Sequence, residues 1–472
     1  MREVIILIFS VLIFASGYGQ TEPFAKIPGL PFKTILKINA VSDDDGNVCV
    51  YYVTNEKYHY ALIDKKGTLL KINKYHEFEG CNFMGVISSD TSFLIFYNNY
   101  NERFGSIKQL VMSKIDGTIK ENEIKIFAEK DEKLITSFAA KNELFILSVR
   151  KKSEKLMISK ISAGSEILNH EIILPNNELY FSFLNSSLKF FEEPYDYSLY
   201  NAHYTDKIYL SETKITFIFE GDCIDEDLQS DCSEILELDR NTFNVEYKRI
   251  KPKIFYDAEK SNSILYHDYL FKIRLASKNL ILSVYDFKSL NLIKEHSLTS
   301  KDSFLFADNE IYRGTLFDNK LIKNKNNTAE KPIRSLAGCY PLILAREVEN
   351  SKIKLIIGDL IPESNNAPSN FNTFSPAFPM VGYSVLFSTN LLSNYSGSPT
   401  EKGIFFETTL ALNSFEKTEK SPENINLLYD LSGLLNVTDF DKLKKDLFLR
   451  PDGLYVALMD INDKTIKIYR IK

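Results

Sequence analysis

The stretch "SDDDGNVCVYYV" at 42–53 joins an Asp- and Gly-rich turn directly to a run of β-branched and aromatic residues. Asp, Gly and Asn in such a turn serve backbone geometry, since Gly tolerates positive φ and Asx side chains bond their own backbone. The same turn-into-strand pattern returns at "SSDTSFLIFY" (88–97), "AAKNELFILSV" (139–149), "YHDYLFKIRL" (266–275) and "LRPDGLYVALM" (449–459). A second element, a hairpin, follows each: "ALIDKKGTLLKI" (61–72), "LVMSKIDGTIKE" (110–121), "MISKISAGSEIL" (157–168), "LELDRNTFNVEY" (236–247) and "SVYDFKSLNLI" (283–293). Gly67 and Gly117 lie 50 residues apart, and Gly164 follows 47 later. A final hairpin copy is "LMDINDKTIKIYRI" (458–471).

Period-two alternation in short runs, with little helical periodicity, predicts many antiparallel strands. A unit of about 45 to 50 residues that cannot bury both of its faces alone is the spacing of propeller blades, which must stack on one another. The expected fold is therefore all-β, a single β-propeller of seven or eight four-stranded blades over residues 20–472, with irregular loops and one short helix. A pair of β-sandwiches or a right-handed β-helix is the alternative. "AREVENSKIKLIIGDL" (345–360) and "GIFFETTLALNSFEK" (403–417) are the candidates for the less regular blades after Ser289.

The turns "DDDGNVCV" and "RPDGLYVA" resemble the D-x-x-G-N/L-x-V turn of NHL-type and TolB-type β-propellers, as does the exported single-domain layout. The resemblance spans nearly the whole chain after the leader and implies a fold; it brings no catalytic residue with it. Gly is sparser than in those families, at 19 residues.

Arg2 precedes an apolar run at 4–15, then Ser16, Gly17 and Gly19, which reads as a secretory signal peptide over residues 1–19. The run is too short for a membrane span, which needs about 20 residues. Export to a periplasmic, outer-surface or extracellular location is expected, and no later stretch has the length of a membrane span. The net charge of -6, with scattered Lys and Arg, offers no phosphate-neutralising surface, so nucleic acid is not an expected partner.

Three stretches break the repeat. Residues 176–206 lengthen one unit to 78 residues between Gly164 and Thr242, and residues 361–384 carry four prolines. "SPENINLLYDLSGLLN" (421–436) has helical spacing, with Ser421 as N-cap and Pro422 at the first helical position.

Six scattered histidines, with no H-E-x-x-H, C-x-x-C, G-x-S-x-G, Walker or G-x-G-x-x-G motif, leave zinc, thiol-redox, serine-hydrolase and nucleotide chemistry without local support. No metal or cofactor is expected, and no catalytic residue is assigned. In "EEPYDYSLYNAHY" the aromatics Tyr195, Tyr197, Tyr200, His203 and Tyr204 alternate with carboxylates. Such a surface suits a protein or glycan ligand, or else the tyrosines fill a blade interface. Phe374 and Phe378 in the Pro-rich loop are the second candidate contact, or a plug on one face. The function expected is thus a non-catalytic binding or scaffolding module; a hydrolase or lyase on extracellular polymer and a structural envelope protein are the alternatives.

"DDDGN" lacks the glutamate that would complete an EF-type loop at Thr54, so it reads as a turn. Among five cysteines, Cys49 and Cys81 read as small buried hydrophobes. Cys223 and Cys232 flank "IDEDLQSD" and are expected to staple the two roots of an eight-residue hairpin loop.

Overall fold

The computed structural model describes residues 22–471 apart from 30–34, 55–56, 77–80, 100–105, 127–130, 141, 165, 187, 192–201, 226–227, 252–259, 277, 309–310, 315–318, 323–327, 337–340, 349–350, 361–402, 422–444 and 461–462. The described strands form seven sheets arranged as blades, five of four strands and two of five, antiparallel except for one parallel edge pair. The count is seven, the lower of the two expected.

Blade 1 is a meander of Ile35–Ser42, Val48–Thr54, Lys57–Ile63 and Leu69–His76. Blade 2 (Cys81–Ser88 to Ile119–Lys125) and blade 3 (Glu132–Ala140 to Ile167–Ile172) repeat it. Blade 5 runs from Lys260–Tyr266 through Tyr269–Leu275 and Asn279–Asp286 to Leu292–Thr299. In each, the middle strands bury residues on both sides, as in Ser92–Asn99, where Phe93, Ile95 and Tyr97 alternate with Leu94 and Phe96, because both blade faces are covered by neighbours.

Blade 7 is composite. Lys445–Arg450, Gly453–Asp460 and Thr465–Arg470 receive Ala25–Ile27 as a fourth strand, with Ala25 opposite Ile468. The two ends of the described chain thus share one sheet, and Ala25, Ile27, Ile466 and Ile468 join Ile38, Val48 and Ala61 of blade 1 in a single core. Ala40 N–H donates to Asp446 Oδ2 at 2.7 Å across that seam.

Blade 6 explains why its repeat is faint. Pro341–Val348, Lys352–Leu360 and Gly403–Ala411 are three strands of one sheet, so the two sequence stretches taken as separate candidates belong to one blade, with 361–402 inserted between them. Its outer strands, Ile311–Gly314 and Asn319–Ile322, come from upstream of the inner ones.

One turn recurs at 113–118, 239–244, 286–291 and 411–416. The first N–H donates to the last carbonyl (2.9 to 3.0 Å), and the fifth N–H donates to the first carbonyl (2.7 to 2.9 Å). The fifth residue must take a left-handed conformation, and it is Gly117, Phe243, Leu290 or Phe415, with φ between +54° and +68°. Where Gly is absent, the side chain offsets the strain by burial: Phe243 packs on His170 of blade 3 (4.5 Å) and Phe415 on Tyr269 of blade 5 (4.8 Å). The low glycine count follows, since these turns rivet a blade to its predecessor.

The turn at Asp43 reads as expected. Asp43 accepts from Asn47 N–H at 2.7 Å and from Asn47 Nδ2 at 2.9 Å, it pairs with Lys114 at 2.8 Å, and Gly46 sits at φ +87°.

Two short helices are described rather than one, and neither was anticipated. α1, Asn177–Asn185, is capped by Asn176, whose side chain accepts from Leu179 N–H. α2, Glu330–Leu336, buries Ile333 and Leu336 against blade 6. The helix anticipated at 421–436 lies outside the described residues apart from Ser421, whose carbonyl accepts from Lys354 Nζ at 3.0 Å.

Candidate functional site

Blade 4 departs from the meander. Its strands are Lys189–Phe191, Lys207–Leu210, Lys214–Asp225, Leu228–Asp239 and Val245–Ile250, and the first two run parallel. The central pair is 12 residues long on each side, against nine at most for the other blades' middle strands, so its far end extends beyond its neighbours. α1 enters from blade 3 and lies beside this extension, held by Leu179, Tyr180 and Phe183 in the blade 3–4 core.

Between α1 and the extension is a pocket of ≈ 410 Å³. Glu178, Phe181, Asn185 and Ser186 contribute from the helix side. Phe219, Glu220 and Glu234 form the sheet side, and Asp206 closes the end at the start of the inner strand.

The carboxylates are held differently. Glu220 is buried and receives Lys272 Nζ from blade 5 at 2.6 Å, Ser233 Oγ at 2.9 Å and Ser261 Oγ at 3.1 Å. Lys272 also donates to Ser233 Oγ at 2.9 Å, so this pair bridges the blade 4–5 seam with its bonding capacity largely filled. Arg249 Nη2 joins Glu178 (2.6 Å) to Glu234 (2.7 Å), and Tyr247 OH donates to Glu234 at 2.9 Å. Burial pushes Tyr247 up to about 12, with Glu234 adding to the effect.

Among the described residues no such counter-ion is bonded to the Asp206 carboxylate. Burial pushes its carboxyl up to about 7, and the negative charge of Glu220 adds to this; Lys207, the Glu220 backbone N–H and the Thr205 hydroxyl act in the opposite sense. The neighbouring Lys207 ammonium is directed elsewhere, to Asn262 Oδ1 and to Ser263 O at 2.7 Å, and Asn262 Nδ2 in turn donates to Ala202 O and Pro341 O.

Of the anticipated contact residues, Tyr195, Tyr197, Tyr200, Phe374 and Phe378 lie outside the described residues. His203 and Tyr204 are half-buried, with ring centroids 4.5 Å apart, two or three positions before Asp206. The undescribed stretch 192–201 is therefore flanked by the blade 4 edge at Phe191 and by the core residue Ala202.

The length of the loop expected between Cys223 and Cys232 needs correcting. The ladder continues to Asp225 opposite Leu228, so no eight-residue loop exists there: Cys223 faces Ser230 and Cys232 faces Gly221, two positions out of register. The register of the long strands Lys214–Asp225 and Leu228–Asp239 carries the pairing through a stretch whose acidic composition suggests a loop. Cys232 is disulfide-bonded and buried in the pocket wall. Cys49 is a free thiol sealed in the blade 1–2 core, which excludes its pairing with Cys81, and burial pushes its pKa up.

Sequence reasoning missed Glu178, Asp206, Glu220 and Glu234. Asn176 followed by apolar residues at helical spacing was the one legible signal, marking α1. Among the described residues no three of His, Cys, Asp and Glu converge closely enough to hold a metal ion. Nor is any described helix long and apolar enough to cross a membrane.

No protein-family model matches the chain, and no curated protein matches it. Among solved structures, the chain is similar to cobalt-substituted Synechocystis apocarotenoid oxygenase at 10% identity and TM-score 0.29, covering 56% of this chain and 61% of the oxygenase. It is similar also to the uncharacterized protein lmo1340 of Listeria monocytogenes EGD-e, at 10% identity and TM-score 0.30, covering 71% and 82%. The chain thus spans less than two thirds of the oxygenase's length, and likeness of this degree carries no argument about activity.

Proposed function

We propose that this protein is an exported β-propeller serving as a non-catalytic binding module for a protein or glycan ligand, with the blade 4 pocket as its ligand site. The observation that carries this reading is the ≈ 410 Å³ pocket itself, which combines the apolar rings of Phe181 and Phe219 with convergent polar groups. That size and mixture suit one small ligand or one protruding side chain. Export is supported by the leader-like residues 1–19 and by the disulfide at Cys232, which fits an oxidising compartment. The test is a glycan and peptide array probed with the chain from Gln20 onward and with its Phe181→Ala variant. Binding that the variant loses sustains the proposal; binding indifferent to Phe181, or none, overturns it.

A second reading, a hydrolase or lyase on extracellular polymer, is favoured by one observation. Asp206 keeps its proton to near neutrality beside the ion-paired Glu220, the division of labour that acid–base catalysis uses. It predicts turnover of a polysaccharide panel that Asp206→Asn abolishes. Inert panels would remove it.

A further inference from the structure

We propose that the blade 4 pocket binds the guanidinium or ammonium head of an organic cation, either a free small amine or the basic side chain of a peptide. This rests on the pocket being the ligand site.

The lining supplies carboxylates from three directions, Glu178 on α1, Glu220 and Glu234 on the central strands and Asp206 at the start of the Lys207–Leu210 strand, and no Lys or Arg lines it among the described residues. The cations that face these groups are committed from behind: Lys272 to Glu220, Arg249 to Glu178 and Glu234, and Lys207 to Asn262 and Ser263. Two of these cations, Lys272 and Arg249, bond three of the four carboxylates while Lys207 turns to Asn262 and Ser263, which leaves the acceptor surplus at Asp206.

Independently of the carboxylates, Ser186 lines the same pocket, and its buried hydroxyl has no hydrogen-bond partner among the described residues. A buried hydroxyl without a partner is destabilising, and a donor on a ligand relieves it. A head group rich in N–H donors answers both needs. Phe181, 51% exposed, offers a ring face for the cation and its stem. A metal ion fits worse, since no three metal-ligating side chains converge among the described residues.

When the head group docks, the Asp206 carboxyl gives its proton to solvent and its carboxylate pairs with the cation. Burial and the charge of Glu220 keep that proton on Asp206 up to about pH 7, with Lys207 opposing from the same strand. Affinity therefore rises as pH climbs through neutrality.

The experiment is calorimetric titration of the chain from Gln20 onward with Nα-acetyl-arginine amide, the peptide Gly-Arg-Gly and the neutral isostere Nα-acetyl-citrulline amide, at pH 5.5 and pH 8. The arginine probes should bind roughly tenfold more tightly at pH 8 than at pH 5.5, and the citrulline probe should fail. Tighter binding of the tripeptide points to a peptide source, and tighter binding of the amide to a free amine. Asp206→Asn should remove the pH dependence, and Phe181→Ala, at an exposed site that folding does not need, should weaken binding roughly three- to fivefold. Equal binding of arginine and citrulline probes, or no effect of either variant, overturns the proposal. If neutral glycans bind through Phe181 while the arginine probes do not, the head-group assignment falls and the pocket reading survives; if nothing binds through Phe181, both fall.

Discussion

Two seams between blades solve the same packing problem in opposite ways. Between blades 1 and 2, Cys49, Tyr51, Tyr60, Phe83, Phe93 and Tyr97 pack into a dry aromatic core, with Tyr51 and Phe83 rings 4.4 Å apart and the Tyr60 and Tyr97 hydroxyls bonded to each other. Between blades 4 and 5, a smaller apolar cluster is joined by the buried pairs Glu220 with Lys272 and Lys207 with Asn262. The aromatic seam gains stability from every side chain it buries. The charged seam must recover a desolvation cost of several kcal/mol per ion and is at best even. The difference teaches that the propeller tolerates a weaker seam where its wall is also the wall of a pocket.

The sharpest way to break this comparison is Lys272→Met, which strands Glu220 without its counter-ion. We expect a loss of about 4 kcal/mol in denaturant unfolding, and we expect the double variant with Glu220→Leu to regain most of it. Recovery of less than a quarter of the single loss would mean the pair stabilises the seam outright.

The next effect is one of pH. Asp206 has its folded-state pKa raised above the unfolded value, so between about pH 4 and 7 the folded state holds a proton that the unfolded chain has released. That contribution is complete below pH 4 and fades as pH rises to 7. Relative to Asp206→Asn, wild-type stability should fall by roughly 2 to 3 kcal/mol across that window, allowing for partial screening by the open pocket. Parallel pH profiles for the two proteins would remove the argument.

In the aromatic seam the effects are those of dry packing. Cys49→Ser buries a hydroxyl in an aromatic core and should cost about 2 kcal/mol. Tyr60→Phe removes one buried hydrogen bond while keeping the ring, and should cost about 1 kcal/mol by thermal melting. A neutral Cys49→Ser would show that water reaches this core.

Legibility followed the range of the interactions. The turns at Asp43, Gly67 and Gly117 were readable because a few adjacent residues decide each of them, and with them the alternating strands and the blade repeat. Blade 6 was only half readable, since its outer strands arrive from upstream and its third strand follows an insertion. The acidic stretch at 222–231 misled for the same reason: composition suggested a loop, while pairing with a facing strand, which composition does not record, carried the ladder to Asp225 and Leu228.

The sequence by itself determined that the chain is a repeat of small antiparallel meanders, because period-two patterning and turn chemistry are local. Only the tertiary structure decided that the described chain makes seven blades, that Ala25–Ile27 completes the sheet of the last strands, and that Glu178, Asp206, Glu220 and Glu234 face one pocket. Those carboxylates span 56 residues of chain, and their meeting depends on how a helix and two strands pack, a relation among distant residues that no window of sequence contains.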